Sequence, residues 1–300
     1  MRFPLPIILC ILCILVTLIL IRLWMRRIHI RIGSPTTVFG DPAFVKALTT
    51  YAEEIHPDTL VEKCGNPTSY IQGFRTCILE GDHVEVKERL HMIHKTLPHS
   101  PLLSRSPQYL LVSDRLEYGM PFTLANWVIL PKSLIDQHSV EDLANTLCHE
   151  QMHILQWKYP QLHHTCNHDV LGYREVQIQG PLPVLPFANP DGPQTPKHSW
   201  VFENNGHTYC PHLTMDKPYS LQKVGIRIRK LHGSTYQMTP HVDNLAILMQ
   251  NRFPSCPIGH RYHPYEILAE LGAQYILKGT TGIPELNRFY EVLASTASSG

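Results

Sequence analysis

The pattern of apolar and polar positions is most one-sided at the N-terminus. From Phe3 to Ile21 no charged residue interrupts a run made mostly of Leu and Ile, and Leu23-Trp24-Met25 extend it past Arg22. At ~1.5 Å per helical residue such a run is long enough to cross a hydrocarbon core of ~30 Å. It has no small-x-small cleavage site, and Trp24 stands where an interfacial aromatic belongs. The expectation is a transmembrane anchor over residues 1–27, held in the lipid bilayer through residues 3–25. Arg22, Arg26, Arg27 and Arg31 outnumber Arg2. By the positive-inside rule this predicts a single-pass membrane protein with its large C-terminal part in the cytosol.

Residues 28–37 read as a juxtamembrane linker, after which the period becomes helical. Phe44, Val45, Leu48, Tyr51, Ala52 and Ile55 follow the start signal Asp41-Pro42, predicting a helix over Pro42–Ile55. Cys64–Ser69 reads as a loop. Asp82-x-x-Glu85 is a capping box for a helix through Leu90, Ile93 and Leu97 that stops at Pro98. Gln108–Ser113 and Phe122–Leu130 are apolar and β-branched, and each predicts a strand. Ser139-Val140-Glu141-Asp142 caps a helix whose stripe is Val140, Leu143, Ala144, Leu147, Ile154 and Leu155, ending before Pro160. Prolines and glycines from Gly180 to Lys197 make a long irregular insertion. Val224, Ile226 and Ile228 alternate with Gly225, Arg227 and Arg229, as in an antiparallel strand with a wet basic face. Pro264–Leu277 is the last helix, and residues 293–300 read as a flexible tail. One α+β domain over residues 38–292 accounts for this order.

Composition narrows the classes. Lys and Arg number 26 against 25 Asp and Glu, a formal +1, so nothing global points to nucleic acid. Hydrophobic residues at 43% and charged ones at 17% exclude a charge-rich disordered chain. Eight cysteines are too few for a disulfide-built scaffold. Cys64, Cys77, Cys148, Cys166, Cys210 and Cys256 lie at irregular spacing, and their even number leaves pairing open in an oxidising compartment. The 19 histidines direct attention to metal.

His149-Glu150-Gln151-Met152-His153 is a His-Glu-x-x-His motif on the capped helix. Residues four apart share a helical face, so both imidazoles reach one ion, and Glu150 beside them can take a proton from metal-bound water. A hydrolytic zinc wants three protein ligands and an open position. A metzincin third ligand is excluded, because Tyr159 stands where that histidine belongs and Gln156 replaces the glycine. The remaining sources are His163 or His164, and the segment His263-Pro264-Tyr265-Glu266-Ile267-Leu268-Ala269-Glu270.

His-Glu-x-x-His followed far downstream by Glu266-x-x-Ala269-Glu270 resembles the gluzincin metallopeptidases, nearest to their membrane-linked branch that contains the CAAX prenyl proteases. The resemblance covers residues 123–160 and 263–270. It implies a zincin-like α+β fold, a mixed sheet with two metal-bearing helices, behind the transmembrane helix. It also implies one Zn2+ per chain, held by His149, His153 and Glu266, with Glu150 as general base. Glu270 would accept a hydrogen bond from a ligand histidine, His149. Thr123–Leu130 would be the edge strand that holds a peptide or protein substrate by its main chain. A downstream Tyr or His would stabilise the oxyanion, with Tyr265, His263 and Tyr262 nearest to Glu266, and Tyr173 and Tyr209 in intervening loops. Glu270 replaces the Asp usual in that branch, and CAAX proteases have several membrane spans.

The expected activity is therefore zinc-dependent hydrolysis of peptide bonds. Two alternatives stay open: an anchored zincin-fold scaffold without chemistry, and an SprT-like protease with His163 or His164 as third ligand. Near-neutral charge and the expected anchor speak against the second. His163-His164-x-Cys166-x-His168 and Cys256-x-x-x-His260-x-x-His263 are read as polar loop segments, and Cys148 as a core residue before an inhibitory thiol.

Overall fold

Prolines set the starts of most helices. The computed structural model describes residues 28–54, 66–177, 191–193, 198–215, 224–232, 235–237, 252–257, 260–261 and 263–299. Helices α1 (Pro35–Phe39), α2 (Pro42–Glu54) and α3 (Pro67–Cys77) each begin on proline, whose fixed φ suits a first turn and whose missing N–H is not needed there. The Ser34 hydroxyl accepts the Thr37 amide at 3.2 Å and the Asn66 side chain accepts that of Ser69 at 2.9 Å. Helix α4 (Val84–Thr96) follows. Its capping box does not form: His83 is the N-cap, in a left-handed conformation with φ 48°, and makes no side-chain cap.

Strands β1 (Arg31–Ile32), β2 (Gln108–Val112), β3 (Phe122–Leu124) and β4 (Trp127–Pro131) make one mixed sheet in the order β1-β2-β4-β3. The first three in that order are parallel, and β3 is an antiparallel edge. Period-two alternation divides β2 and β4 between two cores. Leu110, Val112, Trp127 and Ile129 meet Phe44, Leu48 and Phe74 of α2 and α3. Tyr109, Leu111, Val128 and Leu130 meet Leu90 and Ile93 of α4, and Leu143 and Leu147 of the next long helix. Cover on both faces is why these strands read as unbroken apolar runs.

After the short α5 (Lys132–Gln137) come α6 (Val140–Lys158) and α7 (Pro160–Asp169). As expected from the sequence, Ser139 caps α6, accepting the Asp142 amide at 3.1 Å. Strands β5 (Tyr173–Gln177), β6 (His198–Asn204), β7 (His207–Met215), β8 (Val224–His232) and β9 (Thr235–Gln237) then form an antiparallel meander. Helices α8 (Pro264–Lys278) and α9 (Pro284–Ser299) complete the described chain. Met152 and Leu155 of α6, Cys166 of α7, Tyr173 and Phe202 of the meander, Leu268 and Leu271 of α8, and Tyr290 and Leu293 of α9 share the third core. Gly272 brings α6 and α8 together, because a Cβ there would lie 2.7 Å from Met152 Cγ.

Several expectations are corrected. The anchor read over residues 1–27 lies outside the described residues, and among those described no helix is long and apolar enough to cross a membrane. The longest of these helices, α6, carries Glu141, Asp142, Glu150 and Lys158. The fold is α+β with a mixed sheet, without a membrane-spanning helix or a single-pass topology among its described elements. The supposed linker 28–37 holds β1 and most of α1. Phe122–Leu130 is a hairpin instead of one strand, turning at Ala125-Asn126 with Ala125 at φ 54°. Of the expected loop Cys64–Ser69, Asn66 is the N-cap of α3 and Pro67–Ser69 its first turn, and the segment containing His163, His164 and Cys166 is helix α7. The expected flexible tail is helical to Ser299, with Leu293 fully buried. Of the Gly180–Lys197 insertion, Asp191–Pro193 is described.

Candidate metal centre

Helix α6 places His149 and His153 one turn apart, with their Nε2 atoms 3.0 Å from each other. Helix α8 crosses at this point and brings in Glu266 from its first turn. One Glu266 carboxylate oxygen is 3.3 Å from His149 Nε2, and the other is 3.5 Å from His153 Nε2. All three residues are buried. Metal–ligand bonds near 2.0–2.1 Å in a tetrahedron separate the ligand atoms by about 3.3 Å. The observed separations, the two to Glu266 measured to its different carboxylate oxygens, are of that order, so these residues can converge on one small metal ion. A cation can therefore be held here by buried His and Glu groups.

Neighbouring side chains decide which imidazole nitrogen faces the site. Gln156 Nε2 donates to the Tyr265 carbonyl at 2.8 Å, which fixes its amide. Its Oε1, 2.8 Å from His153 Nδ1, must then accept, so that nitrogen carries the proton and Nε2 keeps a lone pair for a metal. On the other ligand, Glu270 Oε2 lies 3.6 Å from His149 Nδ1, and Gln274 steadies Glu270 through a 3.1 Å bond. Glu266 and Glu270 thus leave the same face of α8 toward opposite nitrogens of one ring.

The electrostatics call for positive charge. Burial lowers His149, yet Glu266 and Glu270 outweigh that and hold it well above the usual histidine range. Burial raises Glu266, but His153 and His149 overcome it and keep the group ionised. Burial lowers His153 to about 3, so it is neutral and able to ligate. Glu150 is raised to about 7, chiefly by burial. Burial, with Glu150 and Glu266 nearby, pushes Asp191 well above its ordinary value.

Glu150 does not point into solvent. Thr123 of β3, itself fully buried, donates its hydroxyl to Glu150 Oε2 at 2.8 Å. In a hairpin closed by two residues, Leu124 and Trp127 form the hydrogen-bonded pair next to the turn. The next pair, Thr123 and Val128, therefore turns its main-chain groups outward. The outward N–H of Thr123 donates to Asp191 Oδ1.

The structure separates the remaining candidates. His263 is the N-cap of α8, accepting the Tyr265 amide at 3.3 Å, and burial lowers it to about 4. Tyr265 is buried against Trp200, with ring centroids 5.7 Å apart. Tyr262 lies outside the described residues. Tyr173 is a core residue, and Tyr209 stacks on Phe202 in the meander. His163 bonds the Tyr159 carbonyl at 3.0 Å and packs on Phe289, while His164 lies 3.7 Å from Glu175. Neither joins a converging donor group among the described residues. Cys148 is a core residue whose thiol burial pushes up to about 12. Cys77, Cys148, Cys166 and Cys256 are free thiols.

Sequence reasoning missed Gln156, Asp191 and His260 here, and of Thr123, read as the start of the edge strand, it missed the hydroxyl contact with Glu150. His260 is the least buried, its ring 4.9 Å from that of His149 and its Nδ1 3.7 Å from Glu266. Its signal was the Cys256-to-His263 spacing, read as a loop. His149, His260 and Glu270 form a further converging group, as do Glu150, His153 and Asp191. No family model, curated protein or solved structure matches this chain.

Proposed function

We propose that this chain is a zinc-dependent metallopeptidase of the gluzincin type. The observation that carries the reading is the convergence of His149, His153 and Glu266 at zinc-ligand separations, with Glu150 buried beside them. Bound zinc supplies a Lewis acid that polarises a scissile carbonyl and acidifies water.

The chain's own groups do the rest. Thr123 offers its outward main-chain groups to an extended peptide, which adds to the sheet edge beside β3. Glu150, with one oxygen held by Thr123, uses the other to take a proton from water and return it to the departing amine. Its burial suits that exchange near neutrality, and a neighbouring cation favours its carboxylate form. Gln156 and Glu270 hold the two imidazoles in orientation. His260, half-buried beside His149 and Glu266, would donate to oxyanion charge.

The test combines zinc analysis of the chain with mass spectrometry of a peptide library. The expected result is one zinc per chain in the wild type and in Glu150→Gln, lost from Glu266→Ala and His153→Ala. Hydrolysis should fall by about 10²–10⁴-fold in Glu150→Gln. Full hydrolysis by zinc-loaded Glu150→Gln, or a folded wild type that takes up no zinc, would refute the reading.

A further inference from the structure

The Pro-rich insertion puts Asp191 and Gly192 into the site. Asp191 is 8% exposed and Gly192 is buried as well. The Asp191 carboxylate accepts the Thr123 N–H, the outward main-chain donor of the edge strand. Donor atoms of Asp191, Glu150 and His153 lie within 4.8 Å of one another. Asp191 therefore stands on the general-base side of the metal ligands, over the ground a scissile peptide must cover.

Gly192 fixes the approach. It has φ 83°, and a Cβ there would meet the Tyr265 ring at 2.9 Å and Gln156 Oε1 at 3.1 Å. Only glycine combines that backbone conformation with so close an approach. The segment thus rests on Gln156, which orients the ligand His153, and bonds Thr123, which holds Glu150.

We infer that Asp191-Gly192-Pro193 occupies the peptide-binding cleft of its own chain as an intramolecular competitor. A peptide gains the Thr123 N–H and the metal by displacing it, so the resting protein is self-restrained. A carboxylate is suited to the role because it accepts the strand's N–H but has no scissile bond at that position. This inference rests on the peptidase reading of the site.

Two variants release the segment by different means. Asp191→Ala removes the carboxylate, and Gly192→Ala forces the backbone away while keeping it. Hydrogen exchange on the full chain, which needs no metal, reads the Thr123 amide. Exchange there should quicken about tenfold or more in both variants, with the β4 amides unchanged. On the cobalt-substituted chain, the visible spectrum follows titration with acetohydroxamate. The apparent Kd should fall about tenfold if the open form is about a tenth of the resting population.

Unchanged Thr123 exchange in both variants would overturn the inference. So would an unchanged Kd, or loss of cobalt from Asp191→Ala alone, which would make Asp191 a structural ligand. A wild type that binds no cobalt would instead sink the metallopeptidase reading, while the exchange result still decides whether the segment covers β3.

Discussion

At the scale of single residues, the site depends as much on what holds its ligands as on the ligands. Glu270 approaches His149 Nδ1 and is itself held by Gln274. Removing such an outer partner weakens metal binding by about 10–100-fold. Glu270→Ala should show that loss in a zinc competition titration, with Glu270→Asp recovering part of it. An unchanged affinity would mean that Glu270 does not orient the ring. Thr123→Val should leave zinc binding intact but slow hydrolysis, because Glu150 Oε2 loses its donor. Thr123→Ser should restore the rate, as a merely structural role for the methyl group would not allow. The motif residues were legible from spacing alone, since helical periodicity fixes which side chains share a face. Their partners were not. Thr123 and Asp191 act through contacts with residues distant in sequence. Although Gln156 is only three residues from His153, the distant Tyr265 carbonyl is what fixes its amide, so no local pattern reports these roles.

At the scale of elements, the crossing of α6 and α8 assembles the donors. Gly272 sits where a side chain would strike Met152, so the helices meet at close range. Gly272→Ala gains helix propensity but overpacks this contact, a conflict that typically costs about 1–3 kcal/mol. Chemical unfolding should show destabilisation, accompanied by weaker zinc binding as Glu266 is pushed from the histidines. A more stable variant would mean that Met152 simply rotates aside. Both helices were readable because caps, prolines and apolar stripes agree. Helix α7 was not, because polar residues stand on both of its faces: His163 and Asn167 are buried with Cys166, so no apolar stripe marks the inner side. The meander escaped for the opposite reason: only β8 alternates cleanly, although Asn205-Gly206, with φ 49° and 73°, is a hairpin signal. The β3–β4 hairpin lacks glycine or proline in its turn, so the apolar run read as one strand.

For the whole molecule, buried neutral histidines make stability sensitive to acid. Burial lowers His94 and His163 each to about 4 from 6.5. Their contribution is complete above pH 6.5, where both folded and unfolded forms are neutral. It is lost as pH falls from 6.5 toward 4, because the unfolded chain takes the proton first, at about 1.4 kcal/mol per pH unit for each group. Urea unfolding across that window should therefore be less steep in His163→Phe than in the wild type. Equal slopes would show that His163 is already protonated in the fold.

The ligands His153 and Glu266 stand on either side of the entire five-stranded meander in the chain. An ion that joins them acts as a staple, closing a long excursion of polypeptide as a disulfide would. Under the proposed function, metal occupancy and fold stability would then become one variable. Chelation should lower the unfolding temperature in step with zinc loss, and hydrogen exchange should quicken first in α8 and the meander, leaving the β1–β4 sheet closed. Zinc supply would then set how long the folded molecule lasts as well as how fast it works.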